Sequence, residues 1–242
     1  MLAEKVRRSV ADAVAGEDVV AVAFSGGLDS SVIVECAMAH AKVVACSCHS
    51  SGSLDSTRVA KGAKLLGVGL ATTEITAEGV ANELSRVDLP FQPTLMDRSL
   101  WCLYSLVSQC AQTAGAKVML LGQLADELFG GYAKYLDALD QRGEEAARSM
   151  METDAKAYAA RGRARDFAAC SRWVEPRLPF EAADIVHYAG ALPVSYKIRG
   201  GVRKAILRRA ALSLGVPKEL AEAPKKAAQY SSGIQKLVSA GF

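Results

Sequence analysis

The sequence predicts an α/β protein, built on a doubly wound parallel β-sheet and completed by a helical C-terminal half. Two observations support this prediction. In the first half of the 242-residue chain, short apolar runs typical of buried strands alternate with segments of helical length. Such alternation indicates a parallel sheet covered by helices on both faces. After residue 131 the strand-like runs end, and Gly and Pro separate helical segments instead.

Each element follows from its local pattern. The run 19–24 is apolar and β-branched and leads into Ser-Gly-Gly, as expected of a buried strand. Glycines and prolines mark where helices end. Strands are predicted at 19–24, 43–48, 71–76 and 117–122, and helices at 4–15, 29–40, 55–66, 77–87 and 96–114. Because no repeat, low-complexity tract or linker-like stretch divides the chain, we expect one domain spanning residues 1–242.

Composition excludes several classes of protein. Half of the residues are hydrophobic and 23% are charged, which is enough apolar material for a core and excludes a disordered chain. Six scattered cysteines are too few for a disulfide scaffold. The N-terminus lacks a secretory pattern, and the longest uncharged stretch carries a polar seam that argues against a membrane span. The cytoplasm is therefore the expected compartment.

The net charge of +3 conceals a basic block near the C-terminus. Between Lys197 and Lys226, nine lysines and arginines stand against Glu219 and Glu222, a net charge of +7. A basic block on a mildly acidic body predicts an anionic partner, and a solvated helix face is the alternative.

The most informative segment lies between the first predicted strand and the following helix. It is at the carboxyl edge of the sheet, where open α/β proteins bind ligands. Adjacent glycines present backbone N–H groups, serines add hydroxyls, and the helix N-terminus adds a positive dipole, so the segment suits an anion. It lacks the lysine of a Walker A loop and the spacing of a dinucleotide fingerprint. The candidate residues are Ser25, Gly26, Gly27, Leu28, Asp29 and Ser30.

These residues resemble the S-G-G-x-D-S signature of the PP-loop ATP pyrophosphatases. The resemblance implies an adenine nucleotide alpha hydrolase-like fold and a loop that holds the pyrophosphate of ATP. It also implies cleavage between the α and β phosphates. Family members include asparagine synthetase, NAD and GMP synthetases and tRNA-thiolating enzymes. ATP and Mg²⁺ are therefore the expected cofactors.

A second motif follows the fourth predicted strand and also lies at the carboxyl edge. Residues 121–132 resemble the asparagine synthetase pattern G-E-G-S-D-E-L-F-G-G-Y, and Gly122 is grouped with the nucleotide-binding residues. Asp126 can approach Asp29 at this edge. Two carboxylates beside a polyphosphate loop form a natural Mg²⁺ site, although Asp126 could also be an ordinary helix N-cap.

Three later blocks follow the family order. Residues 175–181 resemble E-x-R-x-P-F-x-D, 193–204 resemble P-x-x-x-K-I-R-x-G-x-x-K, and 223–229 resemble R-P-K-K-x-x-Q. By this resemblance Lys204, with Lys225 or Lys226, would face the phosphates and stabilise the charge of an adenylation transition state. Alignment on the proline favours Lys225.

Two departures from the family pattern bear on the reaction. Gln123 stands where asparagine synthetase has a glutamate, and glutamine cannot act as a general base. We expect both Gln123 and Glu175 to face the acceptor, so the acceptor differs from aspartate or Glu175 supplies the base. The glutaminase domain and its terminal cysteine are not found here, with Leu2 after Met1. Ammonia is therefore expected from free ammonium or from a separate glutaminase subunit.

Cys46 and Cys48 flank one residue at the end of the second predicted strand. Their spacing does not match a C-x-x-C metal pair, and alternation places both on one side of the strand. We predict that they are core residues. A persulfide role in tRNA thiolation is the alternative.

The predicted function is an ATP-dependent, AMP- and pyrophosphate-forming amide ligase. It would adenylate a small carboxylate or carbonyl acceptor for attack by ammonia or an amine. One alternative is a PP-loop tRNA-modifying enzyme, favoured by the basic block and by Arg161, Arg163, Arg165 and Arg172. Another is a nucleotide-binding subunit that lost its chemistry at Gln123. No membrane partner is expected, and assembly into a homo-oligomer is left open.

Overall fold

The computed structural model describes residues 1–50, 54–224 and 233–240. In this part of the chain, five parallel strands form one sheet in the order β3-β2-β1-β4-β5. The strands are β1 (Val19–Ala23), β2 (Lys42–His49), β3 (Gly69–Glu74), β4 (Val118–Leu120) and β5 (Glu175–Arg177). The predicted α/β class and doubly wound sheet are confirmed.

Helices connect the strands and make up most of the chain after β4. The helices before β5 are α1 (Leu2–Val14), α2 (Leu28–Ala37), α3 (Leu54–Leu66), α4 (Ala77–Leu84), α5 (Leu95–Thr113), α6 (Ala125–Phe129), α7 (Ala133–Arg142), α8 (Glu144–Ala157) and α9 (Arg163–Cys170). After β5 follow α10 (Ala183–Ala191), α11 (Val194–Lys197), α12 (Ala205–Leu214), α13 (Lys218–Ala221) and α14 (Ile234–Ala240). A π-helical turn, Tyr158–Gly162, joins α8 to α9.

The central strand β1 is apolar because it is enclosed on every side. Val20, Ala21 and Val22 have no exposed surface, and β2 and β4 are hydrogen-bonded to its two edges. A strand buried on both faces requires a continuous apolar run, which is why this element is recognisable from sequence. The C-terminal helices complete the core, since α12 packs on α1 and α2 and α14 packs on α5.

The strand order reverses beside β1, and this reversal locates the site. From β1 the chain proceeds outward through β2 and β3, and then crosses to the other side of β1 to form β4. The loops that leave β1 and β4 therefore separate in opposite directions and open a crevice at the carboxyl edge. Both motifs found in the sequence lie in these two loops.

One strand contradicts the expectation that strands end after residue 131. β5 pairs with β4 in parallel register, with Glu175 opposite Val118 and Arg177 opposite Leu120. Its sequence is Glu-Pro-Arg, which lacks the apolar, β-branched character of a strand. The segment is extended because β4 offers it a free edge, and Pro176 is tolerated because edge strands need no donor on their outer side.

In the described ranges, 1–50, 54–224 and 233–240, no helix combines the length and apolar character that crossing a bilayer would require.

Candidate active site

The loop after β1 turns on two adjacent glycines. Gly26 has a φ of +65°, which favours glycine, and a Cβ atom there would lie 3.0 Å from the backbone oxygen of Arg58. Gly27 is the N-cap of α2. Glycine is thus favoured at Gly26 by its conformation and by the close approach of the α3 backbone, whereas at Gly27 a Cβ would meet only the side chains of Arg58 and Ser25. The loop presents a bare backbone at the start of a helix.

Serine hydroxyls fix the shape of this loop. The Oγ of Ser30 accepts a hydrogen bond from the backbone N–H of Ser25 and donates one to the oxygen of Gly27, both at 3.3 Å. The hydroxyl of Ser31 donates to the same oxygen at 2.7 Å. Leu28 directs a buried side chain into the core. The predicted anion-binding residues therefore form one preorganised loop, with Leu28 contributing backbone only.

The loop after β4 brings a second carboxylate to the first. Leu124 adopts a left-handed conformation with φ of 72°, and the short helix α6 begins directly after it, with Asp126 in its first turn. Gly122 lies against Asp29, since a Cβ atom on this glycine would stand 3.2 Å from the Cβ of Asp29. A Cβ on Gly131 would stand 1.8 Å from an oxygen of Asp126, so that position excludes every side chain.

Lys204 joins the two carboxylates. Its Nζ lies 2.6 Å from both carboxylate oxygens of Asp29 and 2.7 Å from Oδ1 of Asp126. The lysine is 3% exposed, and Arg203 beside it donates to the oxygen of Gly131. Burial alone would lower the pKa of Lys204, but the two carboxylates outweigh burial and raise it. The lysine is therefore a fixed cation at the centre of the crevice.

These residues fit a magnesium ion in the presence of phosphate. Asp29 and Asp126 both reach a single cation, the Lys204 ammonium, so their oxygens converge on one point. Among the described residues there is no cluster of three or more His, Cys, Asp or Glu side chains that could hold a metal without other ligands. Two carboxylates that need phosphate oxygens to complete the shell match the usual Mg²⁺ site in nucleotide-using proteins.

A cavity of about 530 Å³ opens beside the loop and extends away from it. Ser25, Asp29 and Asp126 line the end near the loop, and Gln123, Tyr158 and Arg165 line the cavity as well. The cavity has the size of a small-molecule binding site. The structure therefore brings Gln123 together with the loop and carboxylates, as the sequence predicted.

A buried carboxylate orients Gln123. Its Nε2 donates a hydrogen bond of 2.6 Å to Oδ2 of Asp166, which also accepts one from the hydroxyl of Tyr158. Arg165 donates to the other oxygen of Asp166 at 2.8 Å. Burial raises the pKa of Asp166, and the hydrogen bonds from Arg165, Gln123 and Tyr158 only partly oppose it. Since the carboxylate accepts from Nε2, the Oε1 of Gln123 is the amide atom that can accept a hydrogen bond from a ligand.

Replacing Gln123 by glutamate is expected to destabilise the protein at neutral pH but not in acid. The substitution sets two carboxylates about 3 Å apart, so one of them must take up a proton on folding and its folded-state pKa rises. In the unfolded chain both carboxyl groups are ionised at pH 8. We therefore expect the free energy of unfolding to fall by about 2 kcal/mol at pH 8, and this loss to disappear as the pH falls towards 4. Melting temperatures at pH 5 and pH 8 measure the effect.

Gln123→Ala is the matched control, because it removes the amide without adding a charge. It also removes a hydrogen bond that lowers the pKa of Asp166, so we expect its melting temperature to fall slightly more at pH 8 than at pH 5, by clearly less than that of Gln123→Glu. An equal loss of melting temperature for Gln123→Glu at pH 5 and pH 8 would show that the side chain at position 123 does not lie against the carboxylate of Asp166.

Glu175 is not brought to the cavity, which corrects the expectation that it faces the acceptor. It begins β5, at the amino end of the sheet, whereas the crevice is at the carboxyl end. Its side chain is exposed and accepts a hydrogen bond of 2.7 Å from Arg177, which lowers its pKa. Because Glu175 is the first residue of β5, the length of that strand lies between Glu175 and the crevice.

The C-terminal basic block is in part buried. Lys225 and Lys226 lie outside the described residues, so their predicted role stays a prediction. In the described part of the block, Lys204 is buried in the crevice and Lys197 is 5% exposed, and burial lowers the pKa of Lys197 to about 8. The block is therefore not simply a solvated helix face.

The four arginines that favoured the RNA-binding alternative all form ion pairs with carboxylates of this chain. Arg165 is buried between Asp97 and Asp166. The remaining pairs are Arg161 with Asp97, Arg163 with Glu181, and Arg172 with Glu83. These arginines stabilise α9 and its neighbours, so they give an RNA-binding surface little support.

All six cysteines are buried. Cys46 and Cys48 lie on β2 in the core, as predicted, and both border the wall of the cavity. A hydrogen bond with Cys110, together with burial, raises the pKa of Cys46, and burial raises the pKa of Cys48. A raised pKa keeps a thiol protonated and unreactive, which favours the structural role for both.

Sequence reasoning missed two residues near the site, Asp166 and Arg58. Asp166 lies in a helix 43 positions after Gln123, and its only sequence signal was its place inside the arginine run. Arg58, in α3, lies over the glycine turn with its Nη2 3.1 Å from where a Cβ of Gly27 would be. Nothing in the spacing of α3 indicates that contact, because it depends on how the helix crosses the loop.

A glycine-serine loop and two converging carboxylates, set at the point where a parallel sheet reverses its strand order, are the features typical of α/β domains of the PP-loop class. Comparison with known proteins specifies the family. The asparagine synthase family model matches residues 1–144 and 139–239, and the chain belongs to this family.

Individual relatives agree with this assignment. The chain is 31% identical over 273 aligned residues to the putative asparagine synthetase (glutamine-hydrolyzing) 1 of Methanocaldococcus jannaschii, covering 96% of this chain and 49% of that protein. It is 32% identical over 161 residues to the mouse asparagine synthetase domain-containing protein 1, covering 60% of this chain and 26% of that protein. The chain thus spans about half the length of the archaeal relative and about a quarter of the mouse one.

A solved structure supports the fold. NMN synthetase from Francisella tularensis aligns with a TM-score of 0.50 over 98% of this chain and 83% of that one, at 13% identity. At this level of identity the likeness concerns the fold alone.

Proposed function

We propose that this chain is an ATP-dependent ligase domain that forms AMP and pyrophosphate. An oxygen of a carboxylate or carbonyl acceptor would attack the α-phosphorus of ATP, and the bond to the β-phosphate oxygen would break to release pyrophosphate. Ammonia or an amine would then attack the activated carbon and displace AMP. The observation that carries this proposal is the convergence of Asp29, Asp126 and Lys204 on the phosphate-suited loop, beside a cavity large enough for an acceptor.

Each part of the crevice has a task in this reaction. The N–H groups of the loop and the hydroxyls of Ser25 and Ser30 would bind phosphate oxygens. Asp29 and Asp126 would hold Mg²⁺, which neutralises charge on those oxygens when bound. Lys204 would meet the negative charge that develops as the leaving group departs. By resemblance we assign the same task to Lys225.

Gln123 would position reactants without moving protons. Asp166 holds its Nε2 at 2.6 Å, so Oε1 is presented as a hydrogen-bond acceptor towards the cavity. An amide oxygen can accept an N–H bond from ammonia or from the acceptor, but it cannot take up a proton at neutral pH. The nucleophile should therefore react as neutral ammonia, and the ligation rate should rise towards alkaline pH as the neutral fraction grows.

Pyrophosphate release tests the proposal. The purified chain is incubated with ATP and Mg²⁺ and a panel of small carboxylates, each with and without ammonium, and pyrophosphate and AMP are quantified. We expect at least one carboxylate to stimulate equimolar pyrophosphate and AMP, with a new amide formed only when ammonium is present. ADP and phosphate as products would overturn the proposed bond cleavage. ATP binding without any turnover would instead favour a nucleotide-binding subunit that has lost its chemistry.

We further propose that glutamine does not serve as a nitrogen donor to this chain alone. Hydrolysis of the glutamine amide needs an activated nucleophile, commonly a cysteine. All six cysteines are buried, and burial raises the pKa of Cys36, Cys48, Cys102 and Cys170. Cys110 is the exception, because its hydrogen bond with Cys46 lowers its pKa to about 6. This residue is only 6% exposed and does not line the large cavity, so a glutamine amide has no access to it. Ammonia would come from solution or from a separate glutaminase subunit. Glutamate formed from glutamine by the pure chain, and lost on replacing one cysteine, would contradict this expectation.

A further inference from the structure

Helix α5 carries two neighbouring stripes of side chains on the side that faces the sheet and the large cavity. Leu103, Val107 and Cys110 form the first stripe, and all three are buried. This stripe packs on β2, because the thiol of Cys48 donates to the backbone oxygen of Leu103 at 3.8 Å and Cys46 is hydrogen-bonded to Cys110. The first stripe is therefore part of the core that joins α5 to the sheet.

The second stripe has the same apolar character but is not closed over by the core. Met96, Leu100 and Tyr104 are spaced four residues apart, so they lie on one face of the helix. All three line the cavity and are only partly buried. The π-helical turn between α8 and α9 adds Tyr158 and Gly162 to the same wall, and a Cβ on Gly162 would overlap the ring of Tyr158. These five residues form the apolar section of the cavity, which offers hydrocarbon and aromatic surface to a ligand.

The apolar section is continuous with Gln123. Asp166 accepts the hydrogen bond of Gln123 and is bonded to Arg165, whose Nη1 donates at 3.1 Å to Oδ1 of Asp97. Asp97 lies in the first turn of α5, where the apolar section begins, and the hydroxyl of Tyr158 donates to Asp166. A ligand that contacts the amide oxygen of Gln123 therefore has the apolar section beside it.

Each lysine and arginine that the described residues place in the cavity wall forms an ion pair with a carboxylate of this chain. The pairs are Lys134 with Asp154, Arg161 with Asp97, and Arg165 with Asp97 and Asp166. A ligand carboxylate could bind one of these cations only by displacing a protein carboxylate, which would then lose its partner in a partly or fully buried position. A charge placed against the apolar section would lose its hydration without compensation.

We propose that the apolar section binds the body of the acceptor and selects a carboxylic acid whose body is uncharged and apolar, either aliphatic or aromatic. This inference rests on the proposed function, in which the carboxylate of the acceptor is the group that reacts. That carboxylate is the only charge such an acid brings, and its remaining atoms contact Leu100 and Tyr104 without breaking an ion pair. An acidic amino acid brings a second carboxylate, for which the described residues of the wall provide no unpaired lysine or arginine.

Three acids with the same four-carbon chain test this selection without turnover. Butanoate ends in a methyl group, succinate ends in a second carboxylate, and aspartate carries an ammonium as well. Ligand-observed NMR titration measures their dissociation constants for the full chain, with Mg²⁺ and an ATP analogue that has a methylene group between the α and β phosphates. We expect the wild type to bind butanoate about tenfold more tightly than succinate or aspartate, because only butanoate brings no second charge to the wall.

Leu100→Arg should reverse this preference, because it places a cation without a carboxylate partner in the apolar section. We expect butanoate to bind about tenfold more weakly and succinate about tenfold more tightly than in the wild type, since the new guanidinium can donate to the second carboxylate. Gln109→Arg is the control, because it adds the same charge at an exposed position of α5 that does not line the cavity, and it should bind all three acids as the wild type does. Met96→Arg provides the same test if Leu100→Arg is too unstable for binding to be measured.

Other outcomes would overturn the selection or the proposed function separately. Failure of the wild type to bind butanoate, or equal or tighter binding of succinate or aspartate, would overturn the apolar acceptor. Weaker binding of the ATP analogue by Leu100→Arg and Met96→Arg, with an unchanged preference among the acids, would overturn it too, because the wall would then contact the nucleotide. Selective binding of butanoate by a wild-type chain that releases no pyrophosphate from ATP with any carboxylic acid would overturn the proposed function alone.

Discussion

Replacing Asp126 by asparagine is expected to lower ATP-dependent pyrophosphate release about a thousandfold, because the proposed magnesium site loses one of its two carboxylates. The fold should survive, since Lys204 keeps its contacts of 2.6 Å with Asp29 and asparagine has nearly the same shape as aspartate. Pyrophosphate release under saturating acceptor measures the loss, and circular dichroism confirms that the structure is retained.

The matched control is Asp137→Asn, an exposed carboxylate on α7, which should release pyrophosphate at the wild-type rate. Wild-type turnover in Asp126→Asn would remove the metal-binding role from this residue. Partial rescue by raising the Mg²⁺ concentration would agree with a site whose affinity has fallen.

Replacing Lys204 by methionine is expected to destabilise the protein strongly when no metal is present. The substitution leaves Asp29 and Asp126 facing each other in a site where their side chains are only 18% and 12% exposed. Breaking such a pair costs about 2–3 kcal/mol after allowance for partial exposure, which corresponds to about 4–12 °C in melting temperature for a chain of this size. Melting curves in a chelator measure this loss.

Magnesium should restore most of the lost stability in Lys204→Met, because a divalent cation can neutralise the two carboxylates in place of the ammonium. Wild type should gain less from magnesium, since its carboxylates are already paired. Lys64→Met, an exposed lysine on α3, serves as the control for loss of one positive charge. An equal gain from magnesium in all three proteins would show that the two carboxylates do not form the metal site.

The sequence predicted the inner strands well because burial on both faces imposes a pattern that can be recognised locally. β1, β2 and β4 follow from apolar runs. β3 is an edge strand and largely exposed, and it was expected at 71–76 but is found at Gly69–Glu74. β5 could not be predicted in this way. Its Glu-Pro-Arg sequence is extended only because β4 offers a pairing edge, and pairing partners distant in the chain leave no local signal.

The site was predictable where a motif lies directly after a strand. The loop from Ser25 to Ser30 and the carboxylate of Asp126 each follow a strand of the carboxyl edge, so topology alone brings them together. Glu175 shows the limit of that reasoning, since it starts its strand and is carried to the opposite edge. The contacts of Lys204, Arg58 and Asp166 depend on the path of helices across the sheet, which motif spacing does not determine.

Two backbone positions beside the crevice carry a cost in stability. Among the described residues, Leu124 and Lys204 are the only ones other than glycine with a positive φ, at 72° and 57°. One precedes the helix turn that presents Asp126, and the other supplies the ammonium that contacts it. Such conformations cost of order 1–3 kcal/mol each and persist where the surrounding structure enforces them. Stabilising substitutions should therefore avoid both positions. A substitution that relaxed either backbone would raise the thermal stability but would move Asp126 or the Lys204 ammonium out of its present position.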